Sequence, residues 1–371
     1  MNVASLFSGI GGFEIGLGDR FKPLFLNEID ECARSVLREH FADTIVFPDI
    51  TELDAEAVAG IPMLVGGFPC QDVSIVGGQR GLSGQKTALV KHVFRIVEKA
   101  RPDWLLLENV QSVRFVHGGR VLEYLIAECE RLGYAWAYRI LDSAGFGLAQ
   151  RRRRFYFLAS LVDDPGKALF ADVGRPRKKP ALTLDKPLGF YWTEGRAGNG
   201  LTLDAIPTLK AGSTIGIPSP PAVLFPDGEV VIPTIETAER LQGFPSGWTA
   251  ASPRRDRWRL VGNAVSPPVL AWIGQSLIDN INWNALTSDF PAKAIWPIAG
   301  WGDGKGIRRT VHVEEFPTSG VTCGLAHADY SWTPLSPRAL SGFLSRAKSS
   351  SLRYPQGFIL RLDQALANSL G

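Results

Sequence analysis

Three short apolar runs in this sequence end on residues that could do chemistry together. Met63-Leu64-Val65 leads into Gly66-Gly67-Phe68-Pro69-Cys70-Gln71, which puts a thiol on a loop shaped by glycine and proline. Leu105-Leu106-Leu107 delivers Glu108-Asn109-Val110, and Gln150-Arg151-Arg152-Arg153-Arg154 opens the run Phe155-Tyr156-Phe157-Leu158. In open parallel sheets ligands bind beyond the carboxyl ends of the strands, so thiol, carboxyl and guanidinium groups can meet at one sheet edge. A thiol is a strong nucleophile even when mostly protonated at neutral pH. Strand alternation puts Arg152 and Arg154 on one face and Arg151 and Arg153 on the other. A lone cysteine is more often an inert buried residue; the company of Glu108 and the arginines argues for Cys70 as a nucleophile.

A second group of residues points to a nucleoside. Asn2 to Phe7 reads as a strand running into Ser8-Gly9-Ile10-Gly11-Gly12 and then a helix start, a turn that offers free N–H groups and close backbone approach. A dinucleotide fingerprint would need glycine at position 14, which is Glu14, so a nicotinamide-dependent oxidoreductase is disfavoured. Glu28 follows about 20 residues after the glycines, where a carboxylate can accept from ribose hydroxyls. Asp49, in Phe47-Pro48-Asp49-Ile50, could bond an adenine amino group. The bland alternative is a tight turn with surface carboxylates.

The elements that must position these groups form an alternating pattern. Strands are expected near 2–7, 22–27, 62–66, 103–108, 135–141 and 154–160, with helices over Glu31–His40, Thr87–Lys99 and Gly119–Arg131. That is the signature of βα units on a mostly parallel sheet. After Asp163, proline and glycine become frequent and basic and aromatic residues interleave up to Val231, which predicts a second, irregular β-rich domain. Helical pattern returns at Thr237–Leu241, Pro267–Ile278 and Ser336–Ala347.

Composition narrows the class. The 371 residues are 45% hydrophobic with a net charge of +3, and no apolar run approaches the roughly 18–20 residues needed to cross a bilayer. The start lacks the features of a secretory signal, so a cytoplasmic protein with free thiols at Cys32, Cys70, Cys129 and Cys323 is expected. The scattered cysteines and five histidines show no metal-ligand spacing, so no metal is expected. Basic clusters at Arg151–Arg154, at Arg175, Arg177, Lys178 and Lys179, and at Arg254, Arg255, Arg257 and Arg259 suit phosphate contacts, though singly each is commonly a solvated face.

Taken in order, these segments resemble the motif set of the DNA cytosine-5 methyltransferases. Ser5 to Phe13 resembles the first cofactor motif, Gly67-Phe68-Pro69-Cys70-Gln71 the nucleophile loop, Glu108-Asn109-Val110 the cytosine-holding motif and Gln150 to Arg154 the Q-x-R-x-R motif. Arg240-Leu241-Gln242-Gly243-Phe244-Pro245 and Gly262-Asn263-Ala264-Val265 resemble the two closing motifs. Ala149 stands where the family usually has proline. The resemblance covers roughly residues 1–160 and 232–278. It implies an α/β fold, with a Rossmann-like, mostly parallel sheet in the methyltransferase core, a smaller irregular β-rich target-recognition domain and a C-terminal extension. Its expected boundaries are 1–160 for the S-adenosylmethionine-binding catalytic domain, 161–235 for target recognition, 236–284 for the closing motifs and returning helix, and 285–371 for the extension.

The implied activity is transfer of methyl from S-adenosylmethionine to carbon 5 of a flipped-out cytosine in double-stranded DNA, by a monomer without metal or membrane, within restriction-modification. Cys70 would add to carbon 6, Glu108 would hold N3 and the exocyclic amine, and Arg152, with Arg154 on its face, would reach O2. The cofactor would be held by Phe7, Ser8, Gly9, Gly11, Gly12, Glu28, Ile29, Asp49, Ile50, Pro69, Leu89, Asn263 and Val265. Gln71, Ser74, Arg80 and Gln242 would touch DNA, the first three on a glycine-rich loop that must close. A tRNA-methylating relative of the same fold would carry a Cys-Phe-Thr tripeptide in the target region, which residues 160–240 lack. A non-catalytic DNA-binding relative would have lost Cys70, Glu108 or Arg152, and all three are present. For the extension two readings stand: a basic surface at Lys305, Arg308, Arg309, Arg338, Arg346, Lys348 and Arg353 that helps clamp or recognise DNA, or an added subdomain that covers an apolar face.

Overall fold

The computed structural model describes residues 1–69, 89–176, 180–194, 198–212, 219–291, 296–325 and 330–369. Cys70, Gln71, Ser74 and Arg80, and the basic residues Arg177, Lys178 and Lys179, lie outside them. The chain divides into two units, one of Met1–Asp142, Arg153–Pro176 and Val265–Ser319, the other of Ser143–Arg152, Arg177–Ala264 and Gly320–Gly371.

The first unit is built on one sheet. Strands β1 (Asn2–Leu6), β2 (Lys22–Asn27), β3 (Ile45–Phe47), β4 (Met63–Gly67) and β5 (Trp104–Val110) pair in parallel in the order β3-β2-β1-β4-β5. β8 (Arg153–Ser160) enters antiparallel between β5 and β6 (Ala135–Asp142), so β1 to β6 all point one way and β8 runs against them. Runs such as Trp-Leu-Leu-Leu in β5 are buried on both faces, which is why they are apolar without alternation. Helices α3 (Leu89–Ala100) and α4 (Arg120–Arg131) pack Val93, Phe94, Val97, Leu122 and Leu125 against Leu64, Leu105, Leu107 and Phe155 of the sheet. Each such fully buried side chain contributes about 1.5–3 kcal/mol. α2 (Glu31–His40) starts where Asp30 Oδ1 accepts from the amides of Cys32 and Ala33. α8 (Pro267–Asp279), opened by two prolines, packs on α1 (Gly12–Leu17) and α5 (Gly166–Phe170).

The segment after Asn280 carries a finding that the sequence pattern hid. β15 (Ala299–Gly302) pairs antiparallel with the free side of β6, and β16 (Arg308–Val311) and β14 (Thr287–Asp289) follow outward. Gly300 lies opposite Tyr138 and Gly302 opposite Trp136, and a Cβ on either glycine would come within 2.4–2.7 Å of those rings. The glycines that made this stretch look irregular are the space the aromatic rings of β6 occupy. Arg139, fully buried on β6, donates to the carbonyls of Leu169, Asp172 and Glu314 at 2.6, 2.6 and 2.9 Å and so fastens the loop before Ser319. Burial pulls its pKa down to about 10, which leaves it charged at neutrality.

The second unit holds a five-stranded sheet in the order β10-β9-β12-β13-β17, made of β9 (Leu188–Phe190), β10 (Thr202–Leu203), β12 (Ala222–Leu224), β13 (Val230–Pro233) and β17 (Trp332–Pro334). A short pair joins β7 (Gln150–Arg151) to β11 (Ile206–Pro207). Helices α6 (Ile235–Gln242), α7 (Arg254–Asn263), α9 (Pro337–Lys348) and α10 (Phe358–Asn368) complete it. Its core mixes Leu188, Phe190 and Leu224 with Leu340, Phe343, Phe358 and Leu362, so the last segment of the chain supplies more than half of this core's large side chains. Of the cations expected to form a basic face, Arg308, Arg309, Arg346 and Lys348 make contacts within the chain. Arg308 pairs with Glu130, Arg309 with Asp289 and Lys348 with Asp363, and Arg346 donates to the carbonyls of Trp192 and Glu194.

One buried acid in the first unit sets a pH dependence. Glu14 on α1 is 6% exposed, and burial pushes its pKa from the ordinary 4.5 up to about 7, with the Ser5 hydroxyl opposing in part. A raised folded-state pKa stabilises the fold below the unfolded value and loses that contribution as pH rises through the folded one. Stability should therefore fall between pH 4.5 and about 7, and Glu14→Gln should remove this part of the slope and leave the variant the more stable protein above pH 7. Urea unfolding across this range checks it; parallel pH profiles for the two proteins would reject the assignment.

Candidate active site

At the carboxyl end of β5, registers decide which side chains meet. Glu108 pairs across β4 with Gly67 and across β8 with Tyr156, and Val110 pairs with Arg154. Residues opposite one another in a sheet share a face, so Arg154 lies diagonal to Glu108 on the same side. Its Nε reaches Glu108 Oε1 at 3.2 Å, both side chains being nearly buried. A Cβ on Gly67 would sit 3.6 Å from Glu108 Oε2, 3.7 Å from Val265 Cγ1 and 3.8 Å from Phe13 Cε2. The missing side chain of Gly67 thus leaves a small space bounded by a carboxylate, an aliphatic branch and an aromatic edge. Asn109, to which no individual role had been assigned from sequence, is buried; its Nδ2 donates to the Phe68 carbonyl at 2.9 Å and its Oδ1 accepts from Val110 N at 2.7 Å. That bond holds the chain two residues before Cys70. Pro69 is exposed.

Arg152 was expected beside Arg154 and is placed elsewhere. The chain leaves strand geometry at Arg152, between β7 and β8, so period-2 alternation does not carry through it. Arg152 is 2% exposed; Nη1 donates to Leu209 O at 3.0 Å and Nη2 to Ala264 O at 2.6 Å, and both reach Gly262 O at 3.2 Å. Gln150 Nε2 donates to Leu241 O and Gln242 Oε1, both at 2.9 Å, while its Oε1 accepts from Leu209 N at 2.8 Å. Gln242, expected at DNA, is fully buried and donates from Nε2 to Ala264 O at 2.6 Å. The second unit thus uses Gln150, Arg152 and Gln242 to hold together segments more than a hundred residues apart. In α7, Arg257 pairs with Glu236 and with fully buried Glu239, while the exposed Arg255 and the partly exposed Arg259 pair with Asp256.

The glycine turn after β1 is tight and left-handed. Phe7, Gly9 and Gly11 have φ of 52°, 58° and 85°, so the backbone turns through left-handed positions that glycine tolerates and Phe7 adopts at some strain. Glu28 clasps this turn: Oε2 accepts from Gly9 N and Oε1 from Asp30 N, each at 2.8 Å. Burial raises its pKa, partly offset by those amides. Ser8 is buried and Asn27 N donates to its Oγ at 3.2 Å. Gly12 opens α1. Ile29 is 69% exposed beside this carboxylate, while Ile50 is buried. Asp49 Oδ1 accepts from Thr51 N and Oγ1, both at 2.8 Å, which holds its pKa down. Leu89 packs partly buried at the start of α3. His92, one turn on and unnoticed in the sequence, has its pKa lowered by burial and by Arg95, against the pull of Asp49. Asn263 is exposed at the end of α7. Among the described residues no cluster of metal ligands occurs, and no helix is long and apolar enough to cross a membrane.

Comparison with known proteins adds the following. Residues 1–188 and 226–279 match the model of the C-5 cytosine-specific DNA methylases. Type II methyltransferase M2.BsuMI of Bacillus subtilis (strain 168) is 39% identical over 98% of both chains, and M.HaeII of Haemophilus aegyptius is 27% identical over 75% of this chain and 92% of its own. Two solved structures share the fold: S. pombe Dnmt2 methyltransferase (TM-score 0.56, 15% identity, 75% of this chain and 99% of that one) and Entamoeba histolytica methyltransferase EhMeth (0.54, 16%, 76% and 99%).

The network around Arg152 predicts a loss of stability. Arg152→Gln leaves the carbonyls of Leu209, Gly262 and Ala264 short of donors, each omission costing about 1–3 kcal/mol. Denaturant unfolding should show a drop of about 3 kcal/mol or more; an unchanged midpoint would mean that the guanidinium holds nothing together.

Proposed function

Since the chain belongs to the C-5 cytosine-specific DNA methylase family and is a DNA cytosine-5-methyltransferase, we propose that it takes its methyl group from S-adenosylmethionine and works through a covalent Cys70 adduct on a flipped-out cytosine of double-stranded DNA. Type II relatives support a role in restriction-modification. The observation that carries the mechanism is the Glu108–Arg154 pair at the end of β5, beside the methyl-sized gap at Gly67.

The residues present fit the cofactor. The left-handed turn at Phe7, Gly9 and Gly11 brings backbone close to a ligand, and the lone pairs of Glu28 not facing Gly9 and Asp30 suit ribose hydroxyls. Phe7 and exposed Ile29 offer apolar faces to adenine, Asp49 an acceptor for its amino group and Ile50 and Leu89 a packed floor. Val265 and Phe13 bound the space at Gly67, and Asn263, Ser8, Gly12 and Pro69 complete the set that the resemblance implies. When bound, S-adenosylmethionine supplies an electrophilic methyl group on a sulfonium.

The chain's own residues do the rest. Carbon 5 of cytosine is a poor nucleophile, so the Cys70 thiolate adds to carbon 6 and its electron pair makes carbon 5 nucleophilic. Glu108 holds N3 and the exocyclic amine and shares a proton at N3, which prevents negative charge from building up on the ring. Arg154, already paired to Glu108, is the guanidinium positioned for O2; Arg152 is committed to backbone carbonyls and serves as a positioning residue. Carbon 5 gains the methyl group, loses its proton to a base, and the returning electron pair expels Cys70. Because the duplex hides carbon 6, the base must leave the stack. Gln71, Ser74 and Arg80 are proposed to contact the DNA around it.

Cys70→Ser should abolish turnover with cofactor and DNA binding retained, and 5-fluorocytosine at the target should trap a denaturation-resistant complex, because fluorine cannot leave as a proton. Arg154→Gln should lower kcat by about a hundredfold or more with cofactor affinity kept. Methylation by the serine variant, or absence of the trapped complex, would sink the covalent route.

A further inference from the structure

The end of the chain builds an aromatic edge on the second unit. β17 pairs antiparallel with β13, matching Pro233 with Trp332 and Val231 with Pro334, and forms the outer strand of the five-stranded sheet. Its start is clamped to α6: Thr234 N and Thr237 Oγ1 donate to Ser331 O at 3.1 and 2.9 Å, and Ser331 N donates back to Thr237 Oγ1 at 2.8 Å. This fixes the chain at Ser331, between the Tyr330 and Trp332 rings. Trp332 meets Tyr330 at 6.0 Å and Phe225 at 5.6 Å between ring centroids, both edge-to-face. The Arg240 guanidinium lies 5.1 Å from the Tyr330 ring centre. All three rings are half-buried, and Ser331, Thr333 and Pro334 are exposed.

Two physical points make this more than packing. β17 is only three residues long and ends on Pro334, which blunts it against pairing with another strand, so this edge offers its rings rather than its backbone to a partner. Rings held by their neighbours and by backbone hydrogen bonds lose little entropy when something binds, which suits recognition. The partner that fits a DNA methylase is its duplex, where such rings contact thymine methyl groups and sugars while a nearby cation favours phosphate.

We propose that Tyr330 and Trp332, supported by Phe225 and Arg240, form a duplex-DNA contact that helps choose the methylated sequence, although they follow the last family motif. This rests on the DNA-methylation reading above. The test is bisulfite sequencing of a random-sequence plasmid library treated with the full-length parent, Trp332→Ala, Tyr330→Ala and the conservative Trp332→Phe. Loss of the rings should reduce preference for at least one position of the parental target by about tenfold, with Trp332→Phe retaining most of it. Calorimetry with S-adenosylmethionine checks that cofactor affinity is unchanged. Should an alanine variant fail to fold, exposed Thr333→Glu serves instead, and a new negative charge there should weaken duplex binding about tenfold at low salt. Unchanged preference in the folded ring variants, or unchanged binding by Thr333→Glu, overturns the proposal. So does a Trp332-dependent dimer with parental preference, which would make the edge a protein interface. A parent that methylates nothing rejects the function itself, a result distinct from all of these.

Discussion

The antiparallel register of β8 on β5 is the constraint on which the site depends. It sets Arg154 diagonal to Glu108 and lets a guanidinium lie against the carboxylate at 3.2 Å where both are nearly dry. Slipping that register by one residue would turn Arg154 to the other face and leave Glu108 a nearly buried charge without its partner. The parallel strands do comparable work on the far side, because the β4–β5 register is what brings Gly67 beside Glu108. Glu108, Arg154 and Gly67, drawn from three separate strands, are thus brought together by strand register alone.

A family motif here is divided between chemistry and construction. Gln150 and Arg152 spend nearly all their hydrogen-bonding capacity on backbone groups of Leu209, Leu241, Gly262 and Ala264, while Arg154, two residues on, faces the carboxylate. Buried polar networks are stabilising only when their members are satisfied, and this one joins segments that no apolar strip would hold in register. Glu239, fully buried among Arg257, Thr249 and Gly247, repeats the device at the α6–α7 junction.

Much of the first unit was legible in the sequence, because strands buried on both faces must be apolar runs and helices between them must be amphipathic. The strand expected over 103–108 ends at Val110, and the helix expected over Glu31–His40 has those bounds. α7 was not legible: its four arginines read as a solvated cluster, and the pairing of Arg257 with Glu239 and of Arg255 and Arg259 with Asp256 is visible only in three dimensions. β15 was hidden because its glycines signal a loop until the Trp136 and Tyr138 rings that fill their place are known. In the site, the order of the motifs was legible and the separation of Arg152 from Arg154 was not, since alternation was carried across a break in the strand.

The late arrival of β15 matters while the chain is being made. Until it emerges from the ribosome, β6 is an open edge that carries Trp136 and Tyr138, and its partner lies about 160 residues downstream, on the order of ten seconds of synthesis. During that interval the nascent sheet is a template for wrong pairing with other chains. Production of this protein in cells is therefore expected to depend on translation speed and holdase chaperones more than its mature stability would suggest.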